Sequence, residues 1–232
     1  LANVLGSALH PLERVAGALP AVSRIPPPGL MHEQALWKDG AGAVAGLDEA
    51  GRGAWAGPVA AAAVILPPDP AICTRLAGVH DSKLMTARQR ERWADVIRAA
   101  VQDWAVGMAS AAEIDALGIL PATRLAMQRA LEQLRTPPDH LLIDALRLPD
   151  VPAPQTALVH GDRLCLSIAA ASVLAKTTRD ACMAALDASL PGYGMGRHKG
   201  YGTALHRAAL EQLGASPEHR RSFAPLKRLP TR

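Results

Sequence analysis

The chain has 232 residues, of which 49% are hydrophobic, 3% aromatic and 20% charged, and its formal net charge is +4. This composition is typical of a globular protein and excludes a disordered one, and the length suits one large domain. No uninterrupted apolar stretch reaches the roughly 18 residues that cross a bilayer, so we predict no membrane association. The three cysteines lack CxxC spacing, which argues against structural zinc and indicates a reducing, cytoplasmic compartment.

The first forty residues differ from the rest of the chain. Prolines and glycines interrupt every long pattern there, and only residues 2–19 are compatible with a short helix. The opening has no convincing cleavage site for a secretory signal. We expect residues 1–40 to be a dispensable extension, flexible or not native, or Met31 to be the natural start.

The patterns that follow predict an α/β protein. Apolar runs bounded by Gly and Pro predict strands over 43–49 and 57–66. The later predictions, in chain order, are a helix over 87–100, a strand over 101–109, helices over 111–116 and 121–135, strands over 140–144 and 156–160, and a long helix from 166 or 167 to about 189. Early strands with short links pair antiparallel, and strands separated by helices add in parallel. We therefore predict a mixed five-stranded sheet flanked by helices over 41–190, and a helical C-terminal region over 191–232.

Four acidic residues stand at strand ends or strand-to-helix junctions of this prediction: Asp48, Glu49, Asp144 and Asp162. Adjacent carboxylates such as the first two repel each other, by roughly 4 kcal/mol at 4 Å and an effective dielectric constant near 20. A fold that keeps such a pair on a strand usually has a cation to hold. Hard oxygen ligands without paired His or Cys favour Mg²⁺ or Mn²⁺ over zinc. A turn or capping role remains the alternative for each acid taken alone.

Two glycine-rich segments are candidates for nucleic-acid contact. Gly51-Arg52-Gly53 follows the acidic pair and places one guanidinium between two residues without side chains, which suits the close approach of a polyanion. Both tyrosines of the chain, Tyr193 and Tyr201, lie in the segment 192–202 with Lys199. Aromatic rings stack on bases and cations meet phosphates, so this segment predicts a substrate contact. The alternative is a flexible linker with buried tyrosines.

The positive charge is concentrated at the C-terminal end. Residues 193–232 hold eight Lys and Arg against two Glu, a net +6 that leaves −2 for the first 192 residues. This distribution predicts a nucleic-acid surface, with a solvated basic tail as the alternative.

Other polar residues are weaker candidates. We predict phosphate contacts for Ser82, Lys83, Lys176 and Arg179, with salt-bridge or capping roles as the alternatives. Asp180 follows Lys176 by four residues on a helix, so we interpret it as a structural ion-pair partner. His198 and His206 are interpreted as packing or surface residues rather than proton carriers.

Six blocks in order carry a family resemblance. They are Asp48-Glu49-Ala50-Gly51-Arg52-Gly53, Asp81-Ser82-Lys83, Leu142-Ile143-Asp144, Gly161-Asp162, residues 167–180, and His198-Lys199-Gly200-Tyr201. Together, over residues 43–228, they resemble ribonuclease HII. Each block alone is weak evidence, but six at plausible spacing are strong evidence.

The resemblance implies a ribonuclease H-like fold and a monomeric endonuclease that uses two metal ions. Such an enzyme cleaves the RNA strand of RNA/DNA hybrids and nicks duplex DNA 5′ of single ribonucleotides, an activity that serves ribonucleotide excision repair. The catalytic, metal-binding carboxylates carried over are Asp48, Glu49, Asp144 and Asp162. The residues carried over for recognition of the ribonucleotide are Gly51, Arg52, Gly53 and Tyr201.

The chain departs from the family pattern after Asp144. The family has Gly-Asn there, whereas this chain has Ala145-Leu146. Leu146 cannot form the hydrogen bonds of an asparagine, which puts a supporting role at that site in doubt. Two rival hypotheses remain: a metal-dependent nuclease of the same fold that cuts plain DNA, and a non-catalytic nucleic-acid-binding module.

Overall fold

The computed structural model describes residues 26–228 and is built around a five-stranded sheet in the order β3-β2-β1-β4-β5. The strands are β1 (Val44–Ala50), β2 (Val59–Ile65), β3 (Asp103–Ala109), β4 (His140–Asp144) and β5 (Gln155–Leu158). Strands β1, β2 and β3 pair antiparallel, whereas β4 pairs parallel with β1 and β5 parallel with β4. The predicted mixed sheet is confirmed, and each strand lies within two residues of its expected bounds.

Helices cover both faces of the sheet. In the described part of the chain they are α1 (Met31–Lys38), α2 (Ile72–Arg75), α3 (Ala87–Ala100), α4 (Ala111–Leu117), α5 (Ile119–Glu132), α6 (Gly161–Leu164), α7 (Leu166–Ser189), α8 (Met195–His198) and α9 (Ala204–Leu213). Short 3₁₀ turns occupy Ser82–Leu84 and Leu226–Arg228. Within residues 26–228, no helix has the length and apolar character needed to cross a membrane. The helix considered for residues 2–19 lies outside the described residues.

Small residues let the two main helices approach the sheet closely. A Cβ added to Gly46 on β1 would come within 2.3 Å of the backbone of Ser167 on α7. On the other face, a Cβ added to Gly107 on β3 would come within 2.2 Å of the Ala126 carbonyl oxygen on α5. The buried alanines of β2 fill the space that remains on both faces. The close fit of α7 against β1 fixes the position of the acidic end of that strand.

Residues beyond 191 form, together with residues of the body, a separate small apolar cluster. Tyr193, Met195 and Leu210 pack there against Ala56, which follows β1, and Met183 of α7. The C-terminal segment is thereby attached next to the Gly51-Arg52-Gly53 loop. The division of the chain at residues 40 and 190 stays a prediction.

The segment that precedes β1 is fastened to the body through a buried acid. Glu33 on α1 is fully buried, and its Oε1 accepts hydrogen bonds from the backbone N–H of Ser167, at 2.9 Å, and from the Ser167 hydroxyl, at 2.7 Å. Burial raises the pKa of Glu33, although the bonds from Ser167 act in the opposite direction. Because Ser167 lies in the first turn of α7, Glu33 satisfies an N–H group that the helix itself cannot satisfy.

We expect Glu33→Ala to lower the free energy of unfolding by about 2 kcal/mol, because Ser167 would keep a buried N–H and hydroxyl without a partner. Urea denaturation of the purified variant measures this. Glu33→Gln is the matched control, since its amide oxygen still accepts and most of the stability should remain. Equal stability of the alanine variant and the parent protein would support the expectation that residues 1–40 are dispensable.

Candidate active site

Two neighbouring parallel strands bring the predicted acids to one edge of the sheet. Leu47 of β1 is paired in register with Ile143 of β4, so the next residues, Asp48 and Asp144, lie side by side at the carboxyl ends of the strands. Glu49 follows on β1, and Asp162 lies in the first turn of α6. Asp48 and Asp162 are each only 3% exposed. The edge therefore holds buried negative charge from three separate elements.

Burial and the charges of neighbouring acids raise the pKa values of Asp48, Glu49 and Asp162. Burial and then the charges of Glu49 and Asp144 raise the pKa of Asp48 well above its ordinary value. Burial is also the main cause of a raised pKa at Glu49 and at Asp162, and the Asp144 charge adds to both. Raised pKa values at three neighbouring acids mark a place where like charges are held together without enough compensating positive charge.

The donor set fits a hard divalent cation. One oxygen of Glu49, Oε2, is buried and has no hydrogen-bond partner among the described residues. However, residues 26–228 contain no ready group of three or more His, Cys, Asp or Glu side chains that could enclose an ion. Mg²⁺ is commonly held by one or two carboxylates, with water and substrate phosphate completing the shell. The site thus suits ions whose coordination the substrate completes, rather than a closed cage of four carboxylates.

Asp144 is oriented by the turn that leads into α6. Its Oδ1 accepts a hydrogen bond from the Gly161 N–H at 2.7 Å, which ties the end of β4 to the segment that carries Asp162. The next residue, Ala145, has φ 53°, a left-handed conformation that costs a residue with a Cβ roughly 1–2 kcal/mol. Leu146 packs against the apolar cluster beneath the sheet. The departure from the Gly-Asn pattern therefore adds backbone strain and places the half-buried Leu146 side chain against the core.

Lys83 supplies positive charge at this edge. Its Nζ lies 3.9 Å from Asp162 Oδ2, and its side chain is largely exposed. Burial lowers its pKa, but the charges of Asp48, Asp81, Asp162 and Asp144 outweigh burial and raise it. Lys83 is thus fully charged near the carboxylates, as a phosphate contact requires.

Ser82 behaves differently from its neighbour. It is buried, and its hydroxyl lies 2.8 Å from the hydroxyl of Ser172 on α7. Ser172 lies close enough to Asp48 to lower the pKa of that carboxyl. The Ser82 hydroxyl is therefore directed into the protein toward α7, and this internal hydrogen bond replaces the predicted phosphate contact at Ser82.

The loop after β1 is held by two buried arginines. Arg220 donates to the carbonyl oxygens of Gly57 and Arg52, both at 2.9 Å. Arg179 donates to the carbonyls of Pro58 at 2.8 Å and Ala56 at 3.1 Å. Both guanidinium groups are fully buried, and burial lowers the pKa of each, that of Arg220 to about 9. The loop that presents Gly51-Arg52-Gly53 is therefore rigidly mounted.

Within that loop the three residues have different surroundings. Gly51 has φ 92°, and a Cβ there would come within 1.9 Å of the Arg179 side chain, so only glycine fits. Arg52 donates to Glu49 Oε1 at 3.1 Å and is otherwise exposed. Gly53 has open space where a Cβ would stand. The loop therefore offers backbone groups and one guanidinium directly beside the carboxylates.

Tyr201 lies against the same arginine, Arg179. Its ring is 39% exposed, and the Arg179 guanidinium carbon is 5.8 Å from the ring centre. Arg179 also donates to the Lys199 carbonyl at 3.0 Å. A single buried guanidinium thus connects the loop after β1 with the segment that carries Lys199 and Tyr201.

Two predicted phosphate contacts on α7 are not presented to a ligand. Arg179 is fully buried with three carbonyl partners, so its prediction is replaced by the structural role just described. Lys176 donates to Asp180 at 2.6 Å, and Arg90 lies 3.5 Å from the other Asp180 oxygen. The ion pair predicted for Asp180 is confirmed. Lys199 also turns toward this group, since its Nζ donates to the Asp180 carbonyl at 3.2 Å.

Some supporting residues were not identified from the sequence. Ser172 is a polar residue within the apolar run of α7, which is a signal for a buried hydrogen bond. Asp81 accepts from the Lys83 N–H at 2.9 Å and lies 3.4 Å from Arg163, so it orients the segment next to Asp162. Nothing in the local sequence around Arg220 distinguishes its buried guanidinium from the exposed cations nearby.

A mixed sheet with carboxylates at the ends of its adjacent parallel strands, and helices on both faces, defines a nuclease of the ribonuclease H-like class. Comparison with known proteins gives the family. The family model for ribonuclease HII matches residues 45–226. The ribonuclease HII of Dehalococcoides mccartyi is 52% identical over 206 residues, which cover 86% of this chain and 94% of that protein. The ribonuclease HII of Halorhodospira halophila is 56% identical over 193 residues, covering 82% and 96%.

A solved structure agrees with these sequence matches. The crystal structure of ribonuclease H2 from Pyrococcus horikoshii superposes with a TM-score of 0.65 at 26% identity, covering 80% of this chain and 96% of that one. The chain belongs to the ribonuclease HII family. It is an endonuclease that acts on RNA/DNA hybrids, and enzymes of this kind depend on divalent metal ions.

Proposed function

We propose that this enzyme, besides cleaving the RNA strand of hybrids, nicks duplex DNA on the 5′ side of single embedded ribonucleotides and leaves 3′-hydroxyl and 5′-phosphate ends. The observation that carries the proposal is the shared mounting of the Gly51-Arg52-Gly53 loop and Tyr201 on Arg179, directly beside the carboxylates. A protein distinguishes RNA from DNA through the 2′-hydroxyl. Backbone groups of a loop without bulky side chains can reach that hydroxyl, and an exposed ring can stack on the neighbouring sugar or base.

The proposed catalytic and metal-binding residues are Asp48, Glu49, Asp144 and Asp162. Their buried, mutually repelling oxygens suit Mg²⁺ or Mn²⁺, in a pair completed by the substrate phosphate. When bound, two such ions activate water and stabilise the leaving oxygen of a phosphodiester. The Glu49 N–H holds the Asp48 carboxylate in place, and the Gly161 N–H does the same for Asp144.

The cations around the carboxylates bind the substrate backbone. Lys83 and Arg52 are exposed beside the acids, which supports a phosphate contact for each. Lys199, in the segment that carries Tyr201, would join them by exchanging its bond to the Asp180 carbonyl for a phosphate. We further propose that the enzyme works as a cytoplasmic monomer, with residues 191–232 as its substrate-binding region.

A cleavage assay with three substrates tests the proposal. The substrates are a DNA duplex that bears one ribonucleotide, an RNA/DNA hybrid, and an all-DNA duplex, each with Mg²⁺, Mn²⁺ or a chelator. We expect a nick 5′ of the ribonucleotide, cleavage of the hybrid, and no product from all-DNA or with chelator. Cleavage of all-DNA would favour the plain-DNA nuclease, and inactivity on every substrate would favour the non-catalytic module.

Tyr201→Ala is expected to raise KM for the single-ribonucleotide duplex by about tenfold, because base or sugar stacking on one ring contributes roughly 1–3 kcal/mol. Binding of the all-DNA duplex should change much less, since phosphate contacts are independent of the ring. Steady-state kinetics and competition with all-DNA measure the two quantities. Tyr201→Phe keeps the ring and is the control. An equal loss of both affinities would contradict a recognition role for Tyr201.

A further inference from the structure

Three buried histidines lie next to the Tyr201 segment, and the functions discussed so far use none of them. His198, His206 and His219 are 8%, 0% and 1% exposed. The rings of His198 and His206 stack with their centres 4.3 Å apart, and His206 and His219 are joined through their Nε2 atoms at 3.0 Å. Buried histidines whose ring nitrogens all have partners are held in defined tautomers.

The partners determine where each proton lies. The Nδ1 of His219 accepts from the Ser216 backbone N–H at 3.0 Å, so the proton of neutral His219 is on Nε2. His219 therefore donates to Nε2 of His206. His206 must then carry its own proton on Nδ1, and it donates from there to the Tyr201 carbonyl at 3.0 Å. The result is a directed chain of hydrogen bonds that ends on the backbone of Tyr201.

The stacked third histidine holds the other side of the same peptide segment. The Nδ1 of His198 accepts from the Gly200 N–H at 3.1 Å, and its Nε2 donates to the Tyr193 carbonyl at 2.8 Å. The backbone is thus held by imidazoles both just before Tyr201, at the Gly200 N–H, and at the Tyr201 carbonyl. Since Gly200 has φ 80° and packs closely on the Ala56 carbonyl, the segment has little freedom to shift.

The chain of hydrogen bonds works only with neutral rings, because a second proton on His206 would point two N–H groups at each other. Burial lowers the pKa of His206, and burial together with the charges of His206, Arg221 and His198 lowers that of His219 to about 4. Both rings are consequently neutral at neutral pH.

We propose that His206 and His219 are positioning residues for ribonucleotide recognition, which fix Tyr201 through the directed chain from Ser216 to the Tyr201 carbonyl. The inference rests on the proposed function, because it assigns to Tyr201 the task of recognising the ribonucleotide. Neither histidine touches the carboxylates; they act through the backbone of the tyrosine.

Asparagine and glutamine substitutions test this with opposite outcomes at the two positions. The asparagine amide occupies the place of a histidine Nδ1, and the glutamine amide that of Nε2. At position 206 the link to Tyr201 runs through Nδ1, so His206→Asn should keep it and His206→Gln should lose it. At position 219 the link runs through Nε2, so His219→Gln should keep it and His219→Asn should lose it.

The readout is KM for the single-ribonucleotide duplex divided by Ki of the all-DNA duplex as a competitor. We expect His206→Gln and His219→Asn to raise this ratio about five- to tenfold, the effect of one net hydrogen bond, with kcat and Ki changed less than twofold. His206→Asn and His219→Gln should stay within about twofold of the parent ratio. Tyr193→Phe is the matched control, since it removes only the bond from the Tyr193 hydroxyl to the Gly214 carbonyl in the same cluster.

The pattern of outcomes separates the two proposals. If the parent enzyme does not distinguish the ribonucleotide duplex from all-DNA, the proposed function fails. If it does, but the amide preference is the same at both positions or no variant changes the ratio, the positioning role is overturned. If the two histidines were only structural, the substitutions would lower thermal stability, but the ratio of KM to Ki would not depend on which amide was introduced. If one variant does not fold, the pair at the other histidine still decides the question.

Discussion

Asp48→Asn is expected to abolish cleavage and, at the same time, to raise the free energy of unfolding of the metal-free protein. Cleavage should fall at least 10²–10³-fold, which is typical when a group that stabilises transition-state charge is removed. Stability should rise by about 1–2 kcal/mol, because a buried carboxylate that repels Glu49 and Asp144 becomes neutral without a change of shape. Cleavage assays and urea denaturation in chelator measure the two effects.

The pH dependence of stability should change in a defined direction. The pKa of Asp48 is higher in the folded protein than its ordinary value, chiefly through burial. Its contribution to stability is therefore fully present below the ordinary pKa and is lost as pH rises through the raised pKa. With chelator present, the free energy of unfolding of the parent protein should fall as pH rises from the ordinary to the raised pKa of Asp48. That of Asp48→Asn should fall less.

Asp103 is the control for Asp48, because it is a buried acid whose pKa is shifted in the opposite direction. It is also buried, at 3% exposure, but hydrogen bonds from the backbone of Thr136, Arg135 and Trp104 outweigh burial and lower its pKa. Asp103→Asn should therefore lose stability and retain cleavage. A metal-free Asp48→Asn protein less stable than the parent, or one that still cleaves well, would contradict the assignment of Asp48 to the metal site.

The sheet was predictable because its strands are short apolar runs between prolines and glycines. β4 was predicted over 140–144 and forms over His140–Asp144, and α3 was predicted over 87–100 and forms over Ala87–Ala100. The four-residue helices α2, α6 and α8 were not predicted, since one turn has no periodicity to detect. The segment of α1 was assigned to a dispensable extension because the sequence does not show that Glu33 meets Ser167, 134 residues away.

The candidate site was predictable as far as it depends on strand ends. The pattern placed Asp48 and Asp144 at strand ends, but only the family resemblance implied that they converge. The parallel pairing of β1 with β4 brings them to one edge. The partners that support the site come from other parts of the chain: the Gly161 N–H holds Asp144, and Arg220 holds the loop after β1. Helical position alone also does not distinguish a buried cation from an exposed one, and for that reason Arg179 was predicted to contact phosphate.

Arg179→Lys is expected to be among the most destabilising conservative substitutions in the chain, lowering the free energy of unfolding by about 3 kcal/mol. The guanidinium donates to three carbonyls, those of Ala56, Pro58 and Lys199, in a fixed planar geometry. A lysine ammonium cannot reach all three, and each buried carbonyl left without a donor costs roughly 1–3 kcal/mol. Because both recognition segments are attached to this group, we also expect the preference for ribonucleotide over all-DNA to fall.

The salt dependence of binding separates this structural role from a phosphate contact. A true phosphate contact contributes about one unit to the slope of log K against log salt. Lys83→Ala should flatten the slope by about that amount, because the exposed Lys83 ammonium lies beside the carboxylates with its charge available. Arg179→Lys, measured below its melting temperature, should leave the slope unchanged because the charge is retained and buried.

The variant Arg179→Ala separates the two roles of Arg179 further. A flattened slope with normal stability would restore Arg179 as a phosphate contact. A large loss of stability with the slope of the parent enzyme would establish that Arg179 holds the two segments together.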